Sequence, residues 1–345
     1  MTTDTSHIPS VAHDTTSSIK TTEMPIPQKY RMVALDLDGT LLNSEHKLTD
    51  ETAEYLRYLD QQGFMVSIAT GRAISTVYET IKALNIPKPI PVVCSNGAEG
   101  FMCMVVERPD GKRKVVKEPL FSIPVPMHVA QRAVELAKQL GLVTQYYVGE
   151  HIYANPVERH HHTLTQLYRE LTGSKTIYVT DDFARAMQKG PPSKELVLCR
   201  TKEQDRMMLE FAMELTKEEY LFNGKTVTMV RGNLGWFMEV LGPDVCKGNG
   251  LIKMCSGLGV DIAECVAFGD GDNDLEFLQF AGKGFAMKNA RDCVKEIADE
   301  VIEYTNNEGG VMKTLKALEE QGSLIFTTIP KAERIAEKRR SEYSV

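Results

Sequence analysis

The sequence lacks the features that mark nucleic-acid binders, secreted disulfide-bonded proteins and membrane proteins. Its 40 Lys and Arg residues are outnumbered by 47 Asp and Glu, and the net charge of −7 argues against a nucleic-acid or membrane-surface partner. The seven cysteines show no metal-ligand spacing and most lie among apolar neighbours, so we expect reduced thiols in a cytoplasmic protein. Residues 1–27 are rich in Ser and Thr and have no apolar core. We expect this segment to be disordered rather than to form a signal peptide.

The most informative stretch is an apolar run at residues 32–35, which leads into Asp36 and Asp38 and then into Gly39. The run predicts a buried strand that ends at the bend of Gly39. Alternation along a strand places the two carboxylates on one side, at the carboxyl end where open α/β sheets bind ligands. Two carboxylates held together favour the binding of a hard cation such as Mg²⁺ between them. The alternative is a purely structural Asp-Gly turn, which is common after a strand.

Strand and helix patterns alternate on either side of an interrupted middle. Over residues 28–99 they follow the order expected of a parallel sheet with right-handed crossovers, and this pattern resumes over 233–325. Residues 100–232 combine hairpins with helices, and we expect an inserted α+β domain there. Residues 326–345 are basic and predict a helical tail with a solvated face.

Three further elements place polar side chains at the ends of predicted core elements. Thr70 and Gly71 follow a buried strand at 64–69, where a hydroxyl and backbone amides could hold an anion or begin a helix. Lys247 stands at a predicted helix start, where a cation opposes the helix dipole, although a lone lysine is usually a surface residue. Residues 269–274 bring several carboxylates together after an apolar strand, and such crowding is costly without a cation.

The chain resembles the haloacid dehalogenase-like phosphohydrolases, in the Cof-type branch that carries a large C2-type cap. The resemblance covers residues 30–320 and rests on seven segments in the family's order. They are 36–42, 69–72, 95–98, 246–248, 269–274, 287–290 and 307–311. The resemblance implies an α/β fold, with a Rossmann-like parallel-sheet core and an inserted α+β cap that determines substrate choice.

The resemblance also implies a role for each main site residue. Asp36 is expected to be the nucleophile that forms an aspartyl-phosphate, and Asp38 the general acid and base. Mg²⁺ is expected between the carboxylates of Asp36 and Asp270 and the backbone carbonyl of Asp38. Thr70 and Lys247 are expected to hold the phosphate oxygens.

Neighbouring residues complete the expected site. Gly39, Gly71 and Asn273 are expected to contact the substrate phosphate. Asp274 is expected to orient the catalytic lysine and the metal-bound waters without touching the ion. Asp272 departs from the family pattern, where a neutral residue is common, and leaves the division of roles within the acidic loop open.

The expected function is that of a Mg²⁺-dependent phosphatase for a small phosphorylated metabolite, either a sugar phosphate or a phosphorylated cofactor. A large cap suits such a ligand because it closes over the site and excludes bulk water. A sugar-phosphate mutase is one alternative, although the inserted segment has no recognisable arginine cluster for a second phosphate. A non-catalytic phosphometabolite sensor is another, although such proteins usually lose the nucleophile or the acid.

Overall fold

A computed structural model describes residues 29–199, 201–232 and 235–334. The segment 1–27, predicted to be disordered, and residues 335–345 of the predicted basic tail lie outside the described residues. The described part of the tail begins a helix at residues 330–334, and Ile329 and Ala332 pack against the main hydrophobic core. None of the described helices is long and apolar enough to cross a membrane.

The described strands form one sheet of eight and one of six. In chain order they are β1 (Met32–Leu35), β2 (Met65–Ala69), β3 (Ile90–Cys94), β4 (Glu99–Glu107), β5 (Arg113–Ser122), β6 (Val143–Val148), β7 (His151–Ala154), β8 (Thr176–Tyr178), β9 (Lys194–Leu198), β10 (Thr228–Arg231), β11 (Phe237–Leu241), β12 (Cys265–Gly269), β13 (Lys283–Ala286) and β14 (Glu300–Val301). The larger sheet has the order β14-β13-β12-β1-β2-β3-β4-β5, in which the strands from β14 to β3 are parallel and the β4–β5 hairpin is antiparallel. The smaller sheet has the order β10-β11-β9-β6-β7-β8 and is antiparallel except for the β7–β8 pair.

The helices pack around both sheets. In chain order they are α1 (Asp50–Gln62), α2 (Tyr78–Leu84), α3 (Met127–Gln139), α4 (Arg159–Thr172), α5 (Ala184–Met187), α6 (Lys202–Leu215), α7 (Lys247–Leu258), α8 (Leu275–Phe280), α9 (Asp292–Ile297) and α10 (Gly310–Glu320). On the larger sheet, α1 contacts α2 and α10, while α7 contacts α8 and strand β3. On the smaller sheet, α3 packs against α6. The parallel α/β core confirms the predicted fold class.

The parallel order follows from local sequence. All four residues of β1 are buried, as expected for a strand covered on both faces. Thr49 caps the start of helix α1, where its side chain accepts a hydrogen bond from the Thr52 amide. Gly63 caps the end of the helix with a φ of 98°. β1 pairs in parallel with β2 and β12, so the carboxyl ends of these three strands meet at one edge of the sheet.

The two sheets divide the chain at other points than the predicted boundaries of the inserted domain, 100 and 232. The β4–β5 hairpin extends the core sheet, because β4 folds back onto β3 through the turn at 95–98. At the other boundary, β11 was predicted to return to the core but pairs with β9 and β10 in the smaller sheet. Both strands have ordinary β patterns, and only their long-range partners decide which sheet they join. We call residues 123–241 the cap.

The cap leaves the core and returns to it at adjacent points. On the way out, the Ile123 amide donates to the backbone oxygen of Ala98 at 2.7 Å. On the way back, Gly242 lies so close to the outgoing chain that a Cβ there would meet the backbone oxygens of Pro124 and Ile123 at 2.8 and 2.9 Å. Because glycine has no Cβ, the two connections can run side by side.

Candidate active site

Three carboxylates meet at the carboxyl ends of neighbouring strands. Asp36 follows β1, and Asp270 and Asp274 belong to the loop after β12. One oxygen from each lies within 4.8 Å of the others. The pairing of β1 with β12 produces this arrangement, because it brings both strand ends to the same edge. Carboxylate oxygens are the preferred ligands of hard divalent cations, so these residues fit such an ion.

Lys247 lies beneath this cluster, at the first position of α7. Its Nζ donates to Asp36 Oδ1 at 2.7 Å and to Asp274 Oδ1 at 2.5 Å, and its side chain is fully buried. Burial acts to lower the pKa of Lys247, but Asp274 and Asp36 outweigh this effect and raise it, so the side chain is an ammonium. Burial raises the pKa of Asp36, an effect that Lys247 opposes and that the other two carboxylates reinforce.

Asp270 fits tightly against the loop that follows β1. Thr40 Oγ1 donates to Asp270 Oδ1 at 2.8 Å. Gly39 has a φ of 83°, and a Cβ at this position would meet Asp270 Oδ2 at 2.2 Å. Residue 39 must therefore be glycine both for its backbone and for the space that Asp270 occupies. Burial and the charge of Asp274 raise the pKa of Asp270 to about 6, because nearby carboxylates repel one another.

The acidic loop divides its carboxylates between two places. Asp274 is buried, and its Oδ2 accepts hydrogen bonds from the backbone amides of Asp270 and Gly271, both at 3.0 Å. Asp272 instead forms an ion pair with Arg291 and stands outside the three-carboxylate cluster. Asp274 therefore holds both Lys247 and the backbone of the acidic loop through its two oxygens.

Asp38 is held by two basic side chains. Arg72 donates to both of its oxygens, with Nε at 2.6 Å from Oδ2, and His46 Nδ1 lies 2.9 Å from Oδ1. Burial acts to raise the pKa of Asp38, but the hydrogen bond and charge of Arg72 lead the opposing effects and lower it. Arg72 forms this ion pair from a bend that precedes the short helix at 74–76.

A cavity of about 320 Å³ lies between the core loops and the cap. Seven predicted site residues line it, namely Asp36, Asp38, Thr70, Gly71, Asp270, Asn273 and Asp274. Gly39 and Lys247 touch this group directly, through Asp270 and Asp36 respectively. Thr70 is buried, and its Oγ1 accepts a hydrogen bond from the Arg72 amide at 3.1 Å, a contact of its own turn rather than of a helix cap.

Among the cavity-lining residues that the sequence analysis missed, three form a chain of hydrogen bonds between the cap and the core. Lys194 and Glu239 come from cap strands β9 and β11, and Asn96 comes from the turn after β3. Asn96 lies in a segment that was noted for the family resemblance but was given no role. For Lys194 and Glu239, the available signal was a charged residue within a strand whose other residues are mainly apolar.

The comparisons with known proteins agree on one family. Residues 33–315 match the model of the haloacid dehalogenase-like hydrolases. The chain is 28% identical over 292 residues to the 5-amino-6-(5-phospho-D-ribitylamino)uracil phosphatase of Bacillus subtilis, covering 83% of this chain and 96% of the relative. It is also 28% identical over 315 residues to another Bacillus subtilis phosphatase, covering 84% of this chain and 99% of the relative.

Solved structures share the fold over most of the chain. A protein of Thermotoga maritima aligns with a TM-score of 0.67 at 25% identity, covering 84% of this chain and 97% of that one. A HAD/COF-like hydrolase from Plasmodium vivax aligns with a TM-score of 0.68 at 19% identity, covering 85% of this chain and 97% of that one. The matched family model and the parallel α/β core together define the chain as a hydrolase. The chain belongs to the haloacid dehalogenase-like hydrolase family. This confirms the predicted family and the predicted enzyme class, a phosphatase.

Proposed function

We propose that the protein is a Mg²⁺-dependent phosphatase that hydrolyses a small phosphorylated metabolite, a sugar phosphate or a phosphorylated cofactor, through an aspartyl-phosphate. The observation that carries the proposal is the buried Asp36 carboxylate, which lies beside Asp270 at the cavity with one oxygen bonded to Lys247. The second oxygen of Asp36 is the candidate nucleophile.

The reaction takes two steps at phosphorus. In the first, an Asp36 oxygen bonds to phosphorus as the bond to the leaving oxygen breaks, and Asp38 gives that oxygen a proton. In the second, water attacks the phosphorus of the aspartyl-phosphate and Asp38 accepts its proton. Inorganic phosphate leaves and Asp36 is restored. The lowered pKa of Asp38 keeps its carboxylate ionised, so it can accept a proton in the second step. The first step requires protonated Asp38, which has no charge and pairs less strongly with Arg72.

The residues around Asp36 supply the positive charge and the donors that the reaction needs. Asp36, Asp270 and the backbone carbonyl of Asp38 would hold Mg²⁺, which when bound reduces the repulsion between a carboxylate and an anionic phosphate. Lys247 and the Thr70 hydroxyl would neutralise and position the phosphate oxygens. Gly39, Gly71 and Asn273 would complete the phosphate contacts, and Asp274 would hold the lysine in place.

The cavity walls favour a leaving group with an apolar or ring-shaped face. Tyr147, Tyr168 and Phe237 line the cap side of the cavity. A volume of about 320 Å³ lies at the small end of the range of about 300–1,000 Å³ typical of ligand pockets, which suits a metabolite better than a macromolecule. One Bacillus subtilis relative is named for a phosphate ester that carries both a ribityl chain and a uracil ring, which supports this substrate class.

We propose that the protein acts in a reducing compartment on a small substrate. All seven cysteines are free, and all but Cys246 and Cys293 are buried, which suits a reducing compartment such as the cytoplasm. The net charge of −7 favours a small substrate that enters the cavity over a nucleic-acid or membrane partner.

The direct test measures phosphate release from p-nitrophenyl phosphate and from a panel of sugar phosphates and phosphorylated cofactors. We expect release that requires Mg²⁺, stops with excess chelator, and falls about 10³-fold or more in Asp36→Asn, because an amide is not a nucleophile. Asp292→Asn is the matched control, since this carboxylate has a side-chain exposure of 98%. Undiminished release by Asp36→Asn would overturn the proposal. Isomerised product formed only with a bisphosphate activator would indicate the mutase instead.

A further inference from the structure

A buried ion pair on the cap faces the core loops of the site. Lys194 opens β9 and Glu239 lies within β11, and the antiparallel register of these strands puts both side chains on one face. The two side chains are bonded to each other, with exposures of only 2% and 5%. Both belong to the cap, on strands that pair with each other in its sheet.

Each member of the pair also contacts a core loop. Lys194 Nζ donates to the backbone oxygen of Gly71 at 3.0 Å. Glu239 Oε2 accepts from Asn96 Nδ2 at 2.7 Å, and Asn96 Oδ1 accepts in turn from Asn273 Nδ2 at 2.8 Å. The chain of contacts therefore joins the loops after β2, β3 and β12 to two strands of the cap.

The contact with Gly71 affects the hydroxyl of Thr70. A peptide unit is planar, so fixing the Gly71 carbonyl also fixes the direction of the Arg72 N–H on its other side. That N–H donates to Thr70 Oγ1 at 3.1 Å. A hydroxyl that accepts a hydrogen bond at its oxygen can still donate its own proton, and Thr70 lines the cavity. Lys194 thus helps to orient a donor at the place proposed for phosphate.

The pair is self-neutralising, which argues against a direct role in holding a charged substrate group. Burial acts to lower the pKa of Lys194, but Glu239 outweighs this effect and raises it, so Lys194 stays charged. Lys194 Nζ donates to Glu239 and to the Gly71 carbonyl, and it also lies 5.0 Å from the centre of the Tyr147 ring. A buried ion pair is costly to desolvate unless such additional hydrogen bonds compensate it.

We propose that Lys194 and Glu239 are positioning residues through which the seated cap sets the phosphate-binding geometry of Thr70 and Asn273. This inference rests on the proposed function, because it assigns the pair to the same phosphate site. It differs from a substrate contact, since it predicts weaker binding of phosphate itself, with no leaving group present.

The experiment measures binding of inorganic phosphate to the full-length protein by calorimetry, with Mg²⁺ present. The variants are Lys194→Met and the double variant Lys194→Met/Glu239→Gln. No lone buried charge remains in the double variant, so we expect it to fold. We expect the dissociation constant of phosphate to rise about 10- to 100-fold in both, as for a lost charge-assisted hydrogen bond. Lys138→Met is the control, because Lys138 pairs with Asp182 on the exposed cap surface.

The outcomes separate the alternatives. Unchanged phosphate affinity in the folded double variant would overturn the inference, even if the KM for an ester rises, because that pattern belongs to a leaving-group contact. Weaker phosphate binding by Lys138→Met would also overturn it, by showing that any lost cap charge has the same effect. A wild-type protein that binds phosphate but releases none from esters would refute the proposed function alone, and the binding comparison would still decide the role of Lys194.

Discussion

Replacing Lys247 by Met should destabilise the protein as well as inactivate it. The methionine stem keeps most of the apolar packing of the buried lysine, including its position beside the Phe277 ring, but removes the ammonium. Asp36 and Asp274 each lose a charge-assisted hydrogen bond, at 2.7 and 2.5 Å respectively. Both carboxylates stay buried, next to the carboxylate of Asp270.

The expected loss follows from this geometry. Removing one partner of a buried ion pair costs about 3–5 kcal/mol, mainly because it leaves an uncompensated charge. At about 2–4 °C per kcal/mol for a domain of this size, the melting temperature in chelator should fall by about 6–20 °C. Added Mg²⁺ should recover part of this loss, because a cation bound among the same carboxylates neutralises them.

Thermal unfolding in chelator and in Mg²⁺, followed by circular dichroism, measures the effect. Lys253→Met is the matched control, since Lys253 lies on the same helix but is exposed. Adding Asp274→Asn to Lys247→Met should restore stability, because it removes one of the carboxylates left without a partner. A melting temperature of Lys247→Met in chelator within about 2 °C of the wild type would refute the reasoning.

Three further substitutions test other parts of the structure. Gly39→Ala should raise the Mg²⁺ concentration for half-maximal activity about 10-fold or more, because the added Cβ meets Asp270. Gly111→Ala is the control, since Gly111 has a similar φ of 74° but a Cβ there would meet nothing within 4 Å. Equal effects of the two substitutions would count against the steric argument. Asp60→Asn should stabilise the protein by about 1–3 kcal/mol at pH 7.5 in urea unfolding. Burial raises the pKa of Asp60 from 3.8 to about 6, so the stability of the wild type falls as pH rises from 3.8 to about 6. If Asp60→Asn stabilised the protein equally at pH 4, this explanation would be contradicted. Arg72→Met should raise the pKa of Asp38 and move the acidic limb of the kcat profile to higher pH, and an unmoved limb would exclude Asp38 as the base.

The core could be predicted where burial on both faces leaves a strand continuously apolar. β1, β2 and β12 lie where their apolar runs were recognised, because such runs occur mainly in covered parallel strands. The β4–β5 hairpin and β11 carry patterns that fit either sheet. Their membership depends on pairing with distant strands, which local periodicity does not encode.

The acidic half of the site was predictable for a related reason. Asp36, Asp270 and Lys247 each stand at the end of a core element, so their proximity follows once the strands are known to be parallel neighbours. Lys194 and Glu239 reach the same cavity from the cap. The order of strands within a sheet does not predict how two separate sheets are placed relative to each other. The pairing of Asp38 with Arg72 likewise depends on the path of a turn rather than on spacing.

The neighbouring exit and return of the cap make it a replaceable module. Since the backbone at 123–124 touches Gly242, the core chain continues across a short gap whatever is inserted there, and its sheet needs no residue from the insertion. Under the proposed function, exchanging the insertion would change the choice of substrate while the catalytic residues of the core stayed in place. Under our inference the exchange has one condition. A transplanted module must bring its own ammonium to the Gly71 carbonyl and its own acceptor to Asn96, or the recipient will fold and yet bind phosphate poorly.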